Sequence, residues 1–322
     1  MLVEPAYHRP VLLEEVVALL APHDGGLYLD GTLGGGGHAD AILRACGPTG
    51  RLVGVDRDPE AIAAAAARLE PYGERFRGFL AGFDELDRIE PLAGAGFDGA
   101  LLDLGVSSHQ LDAPHRGFAF DVEGPLDMRM GGQGTSAADL LNDLPADELA
   151  EIFRRYGEEP FAGPIARAVV EARRAGPLAT SGQLKAVLRS AVPAHFHAVK
   201  VYARAFQALR LAVNDEPGRL DRGLRDLFER LRPGGRLAVL AYHSLEDRAV
   251  KRAFRALEEP CVCPPQLPVC GCGRRPRARR VTRQAVTPGI AEIAENPRAR
   301  SARLRVVSRL PDSAEPAPGP TP

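Results

Sequence analysis

The chain has 322 residues, enough to bury a sizeable core in one or two domains, and its formal net charge is −1. No apolar run approaches the ~20 residues a membrane span needs, and the N-terminus lacks the apolar core of a signal peptide, so a cytoplasmic, non-membrane protein is expected. The balance of charge is uneven: between Cys270 and Leu310 there are eleven Arg against two Glu, a local +9 that points to a polyanionic partner such as nucleic acid.

In chain order, His8-Arg9-Pro10 opens a helix with Pro10 at its first position. Val11, Leu12, Leu13, Val16, Val17, Leu19 and Leu20 continue it at helical spacing. Leu27–Asp30 reads as a first strand, followed by a turn with five glycines between Gly31 and Gly37 and by a helical run, Ala39–Ala45. Arg51–Val55 is a second strand ending in Asp56. Asp58-Pro59-Glu60 then supplies an N-cap, a first-turn proline and a first-turn acid for a helix to Leu69. Arg75–Leu80 reads as a third strand, Gly82-Phe83-Asp84 as its loop, a short helix runs to Pro91, and Gly99–Leu104 is a fourth strand.

This alternation predicts an α/β fold with a parallel, doubly wound sheet. At Ser107 it stops. Helices are predicted over Ala137–Asn142, Ala146–Tyr156, Pro164–Ala175, Ser181–Val192 and Tyr202–Val213, which together form an inserted all-helical subdomain. A long helix, Asn214–Leu231, leads through Arg232-Pro-Gly-Gly235 into a fifth strand, Arg236–Tyr242. Ser244 to Asp247 fits a capping box for a helix Asp247–Glu258, Leu304–Val307 is a last strand, and Pro311–Pro322 has a disordered composition. Domain bounds of 1–107 with 214–310, 108–213 for the insert and 311–322 for the tail follow.

The glycine turn suits a nucleotide-like ligand. Glycine tolerates positive φ and lets backbone N–H groups approach a bound molecule, and the following helix start adds unpaired donors and partial positive charge. Gly34 to Ala39 satisfies the dinucleotide fingerprint, and Asp56 stands twenty residues past Gly36, where a carboxylate accepts from ribose hydroxyls. Both a nicotinamide dinucleotide and S-adenosylmethionine fit that pattern. Asp30, ahead of the glycines, would attract the cationic aminoacyl end of the methyl donor and repel a pyrophosphate. The glycine turn entering a late strand at Leu231–Leu240 and the carboxylate of Asp103 at the end of strand four favour the donor as well.

Several motifs are similar to those of the bacterial small-subunit rRNA cytosine-N4 methyltransferases. They include His8–Leu13, Leu29–His38, Asp103–Asp112, Arg116–Phe120, Gly124–Met130, Phe206–Arg210 with Val213–Glu216, His243–Arg248 and Asn296–Ala302, in the family's order over nearly the whole chain. The chain departs from the family before Phe206, where His197–Arg204 lacks the family's proline and threonine.

The resemblance implies a Rossmann-like methyltransferase sheet with the helical insert as substrate-recognition subdomain, one wall of the cleft. It implies methyl transfer from S-adenosylmethionine to the exocyclic N4 of a cytidine in the decoding region of 16S rRNA, within the small ribosomal subunit. Carried over, the donor site comprises Gly36, Gly37, His38, Asp56, Phe83, Asp103 and Gln110, with Asp103 also the catalytic candidate. His38 and Gln110 rest on the resemblance alone; Phe83 could cover an adenine face. Asp127, Arg129 and Asn214 read as residues that orient the insert, Ser244 as a cap, and His243 as either a substrate contact or a structural hydrogen bond. Arg274–Arg283 could hold phosphates. Cys261-x-Cys263 and Cys270-x-Cys272 are closely paired thiols that suggest a metal knuckle before disulfides. The C-x-C bite is poorer than C-x2-C and prolines intervene, so thiols in a loop without a metal are expected.

Overall fold

The computed structural model describes residues 10–193, 195–196, 198–264, 267 and 271–311. His8, Arg9, His197, Cys270 and the predicted tail beyond Pro311 lie outside them. The chain divides into two compact units, one joining the chain up to Gly105 to the chain from Arg219 onward, the other spanning Val106–Gly218.

The first unit opens with α1 (Leu13–Leu20), which begins three residues later than Pro10 predicts because Leu12 takes a left-handed φ of 53°. Strand β1 (Leu27–Asp30) leads into α2 (Gly37–Ala45), and β2 (Arg51–Asp56) into α3 (Pro59–Leu69). In α3 the cap works as its sequence requires: Asp58 accepts from the Glu60 amide and Pro59 occupies the first turn. Strand β3 (Phe76–Leu80) and β4 (Phe97–Asp103) follow, joined by 3-10 turns at Leu86–Arg88 and Glu90–Leu92 where a short helix was expected.

The second unit is built from α4 (Ser108–Asp112), α5 (Ala137–Asp143), α6 (Ala146–Gly157), α7 (Ala162–Ala172), α8 (Ser181–Ala191) and α9 (Ala198–Val213). Its core is its own, with Leu141, Phe153, Ile165, Leu184, Phe206 and Leu209 buried together. The residues at 198–204 are the first turns of α9. With no proline there, the helix starts ahead of its predicted beginning at Tyr202. Asn214, predicted to open the next helix, is held in this unit. Its side chain accepts from the Met130 amide and donates to the Met128 carbonyl, at 2.9 and 2.8 Å. That clamps a turn in which Met128 has a φ of 61°.

Back in the first unit come α10 (Glu216–Glu229, its first residues still with the helical unit), β5 (Leu231–Ala241), α11 (Ser244–Glu258), β6 (Ala278–Arg280), α12 (Ile290–Glu295) and β7 (Arg303–Arg309). The strand order is β3-β2-β1-β4-β5-β7-β6. Strands β1 to β5 pair in parallel, but β7 is antiparallel to both of its neighbours, so the sheet is mixed where a parallel one was predicted. The Arg-Pro-Gly-Gly segment bulges within β5: Leu231 pairs with Phe97, then Arg236 with Gly99. The central strands are continuous apolar runs because both faces are covered; Leu29, Val55, Leu101, Leu102, Val239 and Leu240 have no exposed surface. Each such side chain contributes roughly 1.5–3 kcal/mol. Among the described residues no helix is long and apolar enough to cross a membrane.

Candidate functional site

Asp30 lies opposite Gly54 of β2 and Leu101 of β4, so Asp56 and Asp103 each stand two residues further along neighbouring strands. Three carboxylates therefore close the carboxyl edge of β2, β1 and β4. The winding of the sheet reverses between β1 and β4, and ligands of open α/β sheets sit at such a reversal.

The glycine loop is tied to all three. Thr32 donates its amide to Asp30 Oδ1 at 3.1 Å, and its hydroxyl oxygen accepts the Asp103 amide at 2.6 Å. Gly34 donates its amide to Asp56 Oδ2 at 2.9 Å. The missing side chains do not all face a ligand. Gly36 has a φ of 75°, and a Cβ there would stand 3.2 Å from Leu69 of α3; a Cβ on Gly37 would stand 2.4 Å from the Pro10 ring. Packing requires these two glycines. The open position is Gly34, with a φ of 48° and only the Thr32 carbonyl, 3.9 Å away, near its missing Cβ. No side chain caps α2, so the first-turn amides of Gly37 and His38 lie at an uncapped helix start.

Asp30 is 1% exposed. Burial, reinforced by the charges of Asp103 and Asp56, pushes its carboxyl up to about 7. It therefore offers no surface to an aminoacyl group, contrary to the expectation from its place in the sequence. Asp56 is half-buried and engaged by two amides, Gly34 on Oδ2 and Asp58 on Oδ1, both at 2.9 Å. Burial raises its carboxyl and those amides partly offset the rise. The second lone pair of each oxygen faces away from these bonds and can accept further donors.

Asp103, like Asp56, is partly exposed. Tyr242, just past β5, donates its hydroxyl to Asp103 Oδ1 at 2.7 Å, and Nδ1 of His38 lies 3.6 Å from Oδ2. His38 is itself buried. Its Nε2 is 3.0 Å from the Val11 carbonyl, which can only accept, so Nε2 carries a proton. Burial and the Asp103 charge hold the Tyr242 hydroxyl well above its ordinary value, so it stays a donor. Sequence reasoning missed Tyr242. The available signal was a tyrosine ending the buried run Ala238–Ala241, where its polar tip needs a partner.

Phe83 comes to the same edge. Its Cβ stands 3.0 Å from where a Cβ on Gly31 would be, and its ring packs against Gly223 of α10. Its loop is anchored by Asp84, which accepts from Arg219 at 2.6 Å and from Arg222 at 3.0 Å. That anchor, too, was not read from the sequence. Gln110 lies in the helical unit, where its Oε1 accepts the Ser107 amide and its own amide donates to the Ser107 hydroxyl, a capping box for α4. Asp127 pairs with Arg129 in that unit.

At the end of β5 the cap of α11 is His243 and not Ser244. Its Nδ1 accepts the Glu246 amide at 3.4 Å while Glu246 accepts the His243 amide at 3.3 Å. The helix starts three residues ahead of its predicted first residue, and His243 makes the structural hydrogen bond of that cap. The arginine cluster is partly neutralised. Arg277 pairs with Glu229, Arg280 with Glu258, and Arg303 and Arg305 with Asp247. Arg274, Arg275, Arg279 and Arg283 are exposed and have no ion pair among the described residues. A cleft of about 410 Å³ opens at the other edge of the sheet, among Leu27, Arg51 and Leu92; none of the three strand-end carboxylates lines it.

The MraW methylase family matches residues 5–310. The Ribosomal RNA small subunit methyltransferase H of Geobacter sulfurreducens is 51% identical over 308 residues, covering 94% of this chain and 99% of that protein. The protein of the same name from Anaeromyxobacter dehalogenans is 51% identical over 306 residues, 94% of this chain and 98% of its own length. With a carboxylate-rimmed glycine loop at the reversal of its sheet and a match over nearly its whole length, the chain belongs to the MraW methylase family.

Proposed function

We propose that this protein transfers the methyl group of S-adenosylmethionine to the exocyclic N4 of a cytidine in the decoding region of 16S rRNA, acting on the small ribosomal subunit. The observation that carries the reading is Asp103: a partly exposed carboxylate at the β1/β4 reversal, fixed by Tyr242 on one oxygen and flanked by His38 on the other. The identity to relatives named for small-subunit rRNA methylation supports the substrate.

The residues present fit the donor. The oxygens of Asp56 keep lone pairs for ribose hydroxyls, and Phe83 supplies an apolar face for adenine. The first-turn amides of α2, at Gly37 and His38 beside Gly36, suit the donor's carboxylate. When bound, the donor supplies an electrophilic methyl group on a sulfonium centre. Gln110 joins the proposed set on the resemblance alone.

Cytosine N4 is a weak nucleophile because its lone pair is delocalised into the ring. Asp103, or a main-chain carbonyl between it and Gly105, accepts from N4–H and favours localisation of that pair. One N4 proton leaves as the new N–C bond forms, to this acceptor or to solvent. Oriented approach lowers such barriers by up to about 7–11 kcal/mol. The base must be unpaired or flipped out to be reached. The helical unit serves substrate recognition, and the unpaired arginines at 274–283 serve phosphate contact.

The test uses labelled S-adenosylmethionine and small subunits from a strain lacking the modification, followed by nucleoside analysis. Label in N4-methylcytidine, lost in Asp103→Ala, is the expected result. Donor binding by calorimetry then apportions Asp103: weakened binding assigns it to the donor, and a lower rate at saturating donor assigns it to the base. Label absent from cytidine despite donor binding overturns the substrate. RNA binding without turnover overturns the enzyme reading.

A further inference from the structure

The connection from α11 to β6 spans residues 259–277, and none of its described residues is buried. Val262 and Leu267 are 63% and 52% exposed. A connection of this length with no helix, strand or buried residue among its described residues is uncommon and needs some other tie. Its base is closed: the Arg277 amide donates to the Leu257 carbonyl at 2.8 Å, and Arg280 pairs with Glu258 and Glu259. Further out, the Sγ atoms of Cys261, Cys263 and Cys272 lie within 4.8 Å of one another, the Cys261 and Cys272 sulfurs at 3.9 Å.

The 3.9 Å pair is too long for a disulfide and close to the separation that a shared metal sets, with the third sulfur within 4.8 Å. A disulfide needs its sulfurs about 2.05 Å apart. Tetrahedral zinc, with Zn–S of about 2.3 Å, sets its sulfurs about 3.8 Å apart. The chain brings thiols eleven residues apart in sequence to the second separation and not the first. The poor bite of C-x-C, which argues against a metal when spacing alone is read, is overcome because Cys272 returns from the far side of the loop to close the set.

We propose that Cys261, Cys263 and Cys272 bind a structural zinc ion that ties the α11–β6 loop. On binding, each thiol gives its proton to solvent and its sulfur forms one bond to the metal; nothing is oxidised or reduced. Structural zinc takes four ligands; Cys270, the remaining cysteine of the segment, lies outside the described residues. Arg274 and Arg275, exposed and without an ion pair among the described residues, follow Cys272 after one glycine, so the metal also fixes the start of the basic stretch. The inference stands independently of the methyl-transfer reading.

The experiment measures metal, not activity. Untagged full-length protein is expressed with zinc, purified with reductant and without chelator, and analysed for elements. About one zinc per chain is expected. Metal-stripped protein titrated with cobalt(II) alone develops a sulfur-to-cobalt charge-transfer band that saturates near one equivalent. The Cys261→Ser/Cys272→Ser double variant loses both signals, while Cys46→Ala, at the buried cysteine that ends α2 away from this loop, keeps them. Chelation of the wild type speeds tryptic cleavage after Arg274 by about tenfold or more, a readout that needs no variant. Below about a tenth of an equivalent of zinc, with reduced thiols and no cobalt band, the proposal is overturned. It is equally overturned by a double variant that retains wild-type metal, or by cleavage that chelation leaves unchanged.

Discussion

Tyr242 donates its hydroxyl to Asp103 Oδ1 across 2.7 Å, from the strand end next to the one Asp103 closes. The phenol is held well above its ordinary value, so it donates at every working pH and fixes one carboxylate oxygen. A hydrogen bond to a charged acceptor contributes about 1.5–3 kcal/mol, so Tyr242→Phe should slow methyl transfer about 10- to 100-fold. The measurement is the single-turnover rate at saturating donor, with donor affinity followed by calorimetry. A wild-type rate in the variant would show that Asp103 is oriented without this bond.

Asp30 makes stability depend on pH. Its carboxyl is raised to about 7 in the folded chain against an ordinary 3.8. Between those values the folded state holds a proton that the unfolded state has lost, so stability is greatest below about pH 4 for this group and falls as pH rises toward 7. Above the folded value the loss is complete and flat. The shift corresponds to on the order of 4 kcal/mol. Asp30→Asn, which keeps an acceptor for the Thr32 amide, should remove this slope. Urea unfolding at intervals from pH 4 to pH 8 reads it. Parallel slopes in the two proteins would mean that Asp30 stays ionised when folded.

What the sequence made legible follows the range of the forces involved. β1 runs over Leu27–Asp30 as predicted, and α3 starts at Pro59 behind Asp58, because burial runs and caps are local signals. The reversal of β7 was not legible, since pairing direction is decided by what lies beside a strand and not within it. β6 is three residues, Ala-Arg-Arg, whose charge hides a strand that only edge pairing to β7 creates. His243 was passed over as a cap because the imidazole is not a usual capping side chain; Ser244, the conventional choice, sits one residue inside the helix. At the site, Asp56 and Asp103 were readable as carboxylates ending strands. Tyr242 and Asp84 were not, because their partners are 139 and 135 residues away in sequence.

Phe83 is held from a distance by a glycine. A Cβ at Gly223 would stand 2.3 Å from the Phe83 ring. Gly223→Ala favours the helix by up to about 1 kcal/mol in intrinsic propensity, so any loss must come from the displaced ring. If Phe83 covers adenine, both Gly223→Ala and Phe83→Ala should weaken donor binding about 5- to 100-fold, the range for lost aromatic stacking on a base. Calorimetry with S-adenosylmethionine measures it. Wild-type affinity in Phe83→Ala would return that side chain to the core alone.

The basic stretch can be divided by its partners. Arg277 and Arg280 are spent on Glu229 and Glu258, so their removal should lower stability more than RNA affinity. Arg274 and Arg275 are exposed and carry no ion pair among the described residues, so they are the ones available to phosphates. Replacing both with alanine should weaken binding to the small subunit. It should also reduce the slope of log affinity against log salt by about 1.5, since each phosphate contact contributes about 0.7–0.9. Donor affinity, set around β2, β1 and β4, should not move. A filter-binding series from low to moderate salt, run beside calorimetry on the same variant, separates the two effects. An unchanged slope would place the phosphate contacts on other arginines, Arg279 and Arg283 first among them.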